Sequence, residues 1–183
     1  MKNYLLFLGA LSLIFLVGCS TGQVQPPTES TGNTVSSSTT LDWKEISVKD
    51  INSGATFKIS DFKGKPILLE SFAIWCPTCT KQQREIKKLH DELGDEVISI
   101  SLDTDPNEDE SSVKEHTGAN GFDWRYVISP PTMTQSLIDE FGVGVVNAPS
   151  VPVILICEDQ STRYLNRGVK SPEDLKSAIA QGC

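Results

Sequence analysis

Basic charge, soft metal ligands and long apolar runs are all scarce in this sequence of 183 residues. Sixteen Lys and Arg face 24 Asp and Glu, for a formal net charge of −8. Without a clustered basic face the chain is a poor candidate for binding nucleic acid; the acidity itself speaks mainly to solubility. There are only two methionines and two histidines, so no methionine cluster stands ready for copper(I) and no histidine set for zinc. The five cysteines, Cys19, Cys76, Cys79, Cys157 and Cys183, are too few and too unevenly spaced for a disulfide scaffold. The fold must therefore come from a hydrophobic core. The length suits one domain.

The longest apolar run, Tyr4 to Val17, falls short of the roughly 20 residues a membrane-spanning helix needs. Following Lys2, it reads as the core of an export signal over residues 1–18. It ends in Leu16-Val17-Gly18-Cys19, which resembles the lipobox of exported lipoproteins, where the cysteine sulfur carries the lipid. The expectation is a chain anchored to a bilayer through Cys19, outside the cytoplasm, where disulfides persist. Cys19 in a signal-anchor helix, or matching incidentally in a plain cleaved signal, are the alternatives. Residues 20–40 are dominated by Ser and Thr, with only Val24 and Val35 aliphatic. Such a segment cannot offset the entropy of ordering and reads as a linker, with a span of roughly 25 Å as a coil.

From Leu41 to Cys183 the pattern is that of one domain. Strands are expected at Ala55–Ile59, Pro66–Phe72, Glu96–Leu102, Trp124–Ile128, Val153–Cys157 and Arg163–Leu165. The Pro66–Phe72 run is apolar enough for a buried strand. Helices are expected at Thr80–Leu93, Glu110–His116, Thr132–Phe141 and Ser171–Ala180. In the last of these, Ser171-Pro172 supplies an N-cap and a first-turn proline. The order βαβαβαββα, after an opening strand, predicts an α/β sandwich around a mixed sheet.

The chemistry centres on Trp75-Cys76-Pro77-Thr78-Cys79, where a buried strand meets an amphipathic helix. A cysteine at a helix N-terminus meets unpaired N–H groups and the positive end of the dipole, which favour thiolate. Two intervening residues bring the second sulfur within disulfide range, and Pro77 lacks only an N–H that would have had no partner there. Cys76 is thus expected as the exposed nucleophile and Cys79 as the more buried resolving thiol. Structural zinc lacks two further ligands, and attachment of c-type haem fails because Thr80 replaces the required His. A purely structural disulfide remains an alternative.

These residues, together with the run Gly54–Lys65 and Phe72-Ala73-Ile74 before the motif, resemble the thioredoxin superfamily and its membrane-tethered TlpA/ResA-like branch. The resemblance extends from about Trp43 to Ala180. It implies a thioredoxin-like three-layer sandwich, a redox-active Cys76–Cys79 disulfide in place of any cofactor, and no bound metal. It also implies protein thiols and disulfides as substrates, with an electron donor in the membrane driving the reducing direction. In the family a cis proline faces the redox pair. Pro152 fits that place, with the backbone of Val151 free to pair with substrate, and Pro149 is its rival. Glu70, six residues before Cys76, matches a buried acid that would exchange a proton with Cys79; the alternative is a solvent-facing or ion-paired side chain at the strand end.

Several features depart from the family. The dipeptide is Pro-Thr, and Gly144–Ser150 is longer than usual. Cys157 reads as a small buried hydrophobe, and Cys183 as a free thiol or a link to another chain. Two other functions compete. A thiol peroxidase would need Pro-x-x-x-Thr-x-x-Cys, but Ala73 and Cys76 occupy the threonine positions. A copper(I)-delivery module lacks the methionines, Met133 being the only one past the signal.

Overall fold

Branched apolar residues concentrate in the runs around Ile67 and Ile154, and these become the middle of a sheet. In the computed structural model, residues 42–183 are described; the expected export signal, Cys19 and the Ser/Thr-rich segment lie outside them. The elements are β1 (Val48–Lys49), β2 (Thr56–Phe57), β3 (Ile67–Phe72), α1 (Pro77–Leu93), β4 (Ile98–Asp103), α2 (Glu110–Asn120), β5 (Arg125–Ile128), α3 (Pro131–Phe141), β6 (Val153–Ile156), β7 (Thr162–Tyr164) and α4 (Pro172–Gln181). The main sheet runs β5-β4-β3-β6-β7. In it β3 is parallel to β4 and antiparallel to β6, and β5 is parallel to β4. β1 and β2 form a separate antiparallel pair. This is the α/β sandwich around a mixed sheet that the sequence pattern implies, in the thioredoxin-like form that the resemblance implies.

Both faces of the sheet are covered, as the near-continuous apolar character of β3 requires. Leu68 and Phe72 pack with Ile86 and Leu89 of α1 and Leu175 of α4. Ile67 and Leu69 pack on the opposite side with Met133 and Leu137 of α3. Alternation along β3 therefore turns Glu70 toward the α1 side.

Some elements differ from expectation. The strand expected over 55–59 keeps only Thr56–Phe57, because Asp61 accepts the Lys58 N–H at 2.8 Å and draws Ile59–Phe62 into a 3₁₀ turn. α1 begins at Pro77, three residues before the expected Thr80 but with the proline in the first helical position, as the motif implies. α2 runs on to Asn120, where Gly121 ends it in a left-handed conformation at φ 65°. Trp43, in a short 3₁₀ turn, is buried and donates its indole N–H to Glu140 at 2.6 Å.

Cys157 and Cys183 are neither an inert hydrophobe nor a free thiol: they form a disulfide, with Cα atoms 6.0 Å apart. The bond joins residues 26 apart in sequence and pins the C-terminus to the end of β6. Closing a loop of that size stabilises a fold by roughly 3 kcal/mol. Because β6 is antiparallel to β3, with Ile156 beside Ile67, this disulfide lies at the opposite end of the sheet from Cys76.

The Val151–Pro152 peptide also departs from expectation: no cis bond occurs among the described residues. The chain turns into β6 at Val151 instead, which adopts φ 53° and ψ 61°. That left-handed conformation is costly for a β-branched residue.

Candidate active site

The end of β3 delivers Cys76 to the start of α1, and the two redox cysteines are joined there, their Cα atoms 5.3 Å apart. Cys76 is the N-cap of α1, and its sulfur accepts the Cys79 N–H at 3.2 Å. The helix thus supplies one of its unpaired donors to the sulfur expected to be the nucleophile. The Thr78 hydroxyl lies 3.2 Å from the same sulfur and donates to the Pro149 carbonyl at 3.3 Å. Cys79 is fully buried, as expected. Cys76 is not the exposed residue foreseen: in the closed disulfide it is only 1% accessible, while its neighbours Trp75, Pro77 and Thr78 are exposed.

Across from the pair lies the segment Ala148–Pro152. The Cys79 sulfur is 3.1 Å from the Ala148 carbonyl, which in the dithiol form would receive the S–H. Pro149, the rival of Pro152, is thus the proline whose backbone meets the redox motif. Pro152 stands one step behind, buried, with its carbonyl accepting the Ser71 N–H at 3.2 Å. The expected free backbone at Val151 is not found. Its N–H donates to Ala148 at 2.8 Å, its carbonyl accepts from Lys170 at 2.9 Å, and the residue is 1% accessible. The left-handed turn folds both groups inward. A cleft of about 260 Å³ runs beside the motif, lined by Trp75, Asp105, Val146, Asn147, Ala148 and Pro149 among others.

Glu70 is completely buried, which excludes the solvent-facing alternative. Desolvation pushes its carboxyl up to about 8, against the smaller opposing pull of Ser101, Gln83 and the Lys170 charge. Ser101 donates to one oxygen at 3.0 Å, and the other has no hydrogen-bond partner. Ser101 in turn accepts from the Trp124 indole at 2.9 Å.

Three further groups escaped the sequence reading. Glu108 accepts the Ile74 N–H through both oxygens, at 3.0 and 2.8 Å, fixing the turn that leads into Cys76. It also meets the buried carboxyl of Asp103, which is pushed up to about 7 by desolvation first and then by Glu108 and Asp105. Asp105 accepts the exposed Trp75 indole at 2.6 Å. In sequence these acids look like an ordinary solvated loop. Only their place at the end of β4, next to the strand that carries the motif, gave any signal.

A family model described as Redoxin matches residues 31–181. Thioredoxin-like protein YneN of Bacillus subtilis (strain 168) is 27% identical over 118 residues, and the match covers 63% of each chain. The chain thus spans under two thirds of that relative's length. Among solved structures, a thiol:disulfide interchange protein of Chlorobium tepidum TLS superposes with a TM-score of 0.62 at 17% identity, covering 75% of this chain and 92% of that one. A secreted Mycobacterium tuberculosis disulfide oxidoreductase gives 0.57 at 16% identity, covering 76% and 97%. The exposed lipoprotein thioredoxin Etrx1 of Streptococcus pneumoniae gives 0.60 at 16% identity, covering 74% and 98%. At these identities the superpositions speak to the fold.

Proposed function

The chain belongs to the redoxin family, in the TlpA/ResA-like part of the thioredoxin superfamily, and on that premise we propose that it exchanges disulfides with protein substrates outside the cytoplasm, in the reducing direction. The observation that carries this reading is the Cys76–Cys79 bond at the N-terminus of α1, with an open cleft beside it. The Cys76 thiolate attacks a substrate disulfide, forming a mixed disulfide and releasing one substrate sulfur as thiolate. Cys79 then gives its proton to Glu70 and attacks the Cys76 sulfur. That closes the Cys76–Cys79 bond and frees the second substrate sulfur. Two electrons from a donor in the membrane restore the dithiol. Trp75, Pro77 and Thr78 shape the rim, and Pro149 and Pro152 brace the facing segment.

The experiment is the reduction potential of the Cys76–Cys79 couple, measured by equilibration with glutathione in a Cys157→Ser/Cys183→Ser background. A value near that of thioredoxin, about −270 mV, is expected; one near −120 mV would make the protein an oxidant. Disulfide exchange suits a protein held at a membrane, and a lipid on Cys19 provides that location. Cys19→Ala should release the protein from the membrane fraction, whereas the unaltered chain should need detergent. Recovery of the unaltered chain in the soluble fraction would remove the lipid anchor from the reading.

A further inference from the structure

A buried ammonium ties together the three parts of the site. Lys170, in the connection between β7 and α4, is only 8% accessible. Its Nζ donates to the carbonyls of Val151 at 2.9 Å and Gly168 at 2.7 Å. Its backbone is held from both sides by Gln82, a fully buried residue one turn past Cys79. The Lys170 N–H donates to the Gln82 side-chain oxygen at 2.7 Å, and the Gln82 amide donates back to the Lys170 carbonyl at 3.2 Å. So α1, which carries the redox cysteines, grips Lys170, and Lys170 grips the segment that lies on Cys79.

Burying a cation is expensive without a compensating charge nearby. The two carboxyls that act on Lys170 are Glu70, with the larger effect, and Asp174. Asp174 is exposed and already accepts from Ser171, the cap of α4. Glu70 faces Ser101 of β4, Gln83 of α1 and Tyr126 of β5, all uncharged, Tyr126 because burial holds its phenol well above the usual value. Lys170 is therefore the cation in position to stabilise Glu70 as a carboxylate.

We propose that Lys170 is a positioning residue for the resolving step: its buried ammonium holds the Ala148–Pro152 segment against Cys79 and keeps Glu70 able to accept the Cys79 proton. This rests on the reading of Glu70 as proton carrier. The proton passes from the Cys79 sulfur to the Glu70 carboxylate; burial holds the Lys170 ammonium down to about 8, so Lys170 supplies its charge below that pH. The two parts of the role separate in experiment, because the hydrogen bond to Val151 concerns geometry and the charge concerns the pH at which Glu70 ionises.

The test is the pH–rate profile of resolution, from a preformed mixed disulfide on Cys76, in the full chain. Removing the cation in Lys170→Met leaves the carboxylate less stable, so the rising limb should move to higher pH by about one unit. At pH 7 resolution should fall about tenfold, while the first attack by Cys76 changes less than twofold. Lys170→Arg, which keeps the charge, should restore the wild-type midpoint. In a Glu70→Gln background Lys170→Met should cause no further shift. Lys170→Gln serves in the same way should the methionine variant not fold. A Lys170→Met profile that superimposes on wild type, or a Lys170→Arg profile that shifts equally, overturns the proposal at Lys170. A Glu70→Gln profile identical to wild type overturns it at Glu70 instead.

Discussion

Cys79→Ser should accumulate mixed disulfides between Cys76 and substrate proteins, and Cys76→Ser should accumulate none. The asymmetry follows from the start of α1. Cys76 is the N-cap, and its sulfur receives the Cys79 N–H; Cys79 lies inside the first turn, fully buried against the Ala148 carbonyl. Both sulfurs are covered in the closed disulfide, but Cys76 lies between the exposed Trp75 and Pro77, with Thr78 exposed beyond, so an approaching substrate sulfur should meet the first position before the second. Once the mixed disulfide forms, Cys79 resolves it from within the molecule, where well-placed groups act with effective concentrations of 10⁵ M or more, roughly. With serine there, release must wait for an external thiol, and adducts should persist long enough for non-reducing electrophoresis. The same order should appear in alkylation of the dithiol form, Cys76 reacting before Cys79. Adducts trapped by Cys76→Ser rather than Cys79→Ser would exchange the two roles.

The parts of this site written into neighbouring residues were legible; the parts that depend on the loops were not. A cysteine pair where an apolar strand gives way to an amphipathic helix specifies its own geometry, since helix polarity and a two-residue spacing act locally. Glu70 could be placed through the resemblance, which puts a buried acid six residues before Cys76, and the alternation along β3 then turns it to the α1 side. Lys170 could not: it lies 88 residues from Gln82, in a stretch where a lysine before a helix cap reads as a solvated charge. The same holds for the Cys157–Cys183 bond, which joins a strand end to a C-terminus that no pattern brings together. Val151 misled for a different reason. A valine before a proline reads as extended, and only the packing of Ala148–Pro152 on the redox pair imposes its left-handed turn. That turn took the backbone expected to bind substrate and hydrogen-bonded it inward to Ala148 and Lys170.

Glu70→Gln should slow resolution without affecting the first attack, and should also stabilise the protein at neutral pH. Both effects come from one cause, the complete burial of a carboxyl on β3. Burial raises its pKa from 4.5 to about 8, so in the wild type the rate of resolution should climb with pH toward that value as the base forms. Glutamine keeps the shape and cannot take the proton. The climb should vanish, and the rate near pH 8 should drop on the order of 10²-fold, a usual loss for a general base. The stability effect has a definite sign. A folded-state pKa above the unfolded one favours folding while the group is protonated in both states. That advantage is lost as pH rises from about 4.5, where the unfolded carboxyl ionises, through about 8. At pH 7 the wild type should have given up roughly 3 kcal/mol in this way, whereas glutamine gives up nothing. Denaturation of the two proteins between pH 4 and 9 should therefore show curves that diverge up to about pH 8 and run parallel above it. Resolution profiles that superimpose would remove Glu70 from the chemistry. Stability curves that stay parallel throughout would show that its carboxyl ionises normally despite its burial.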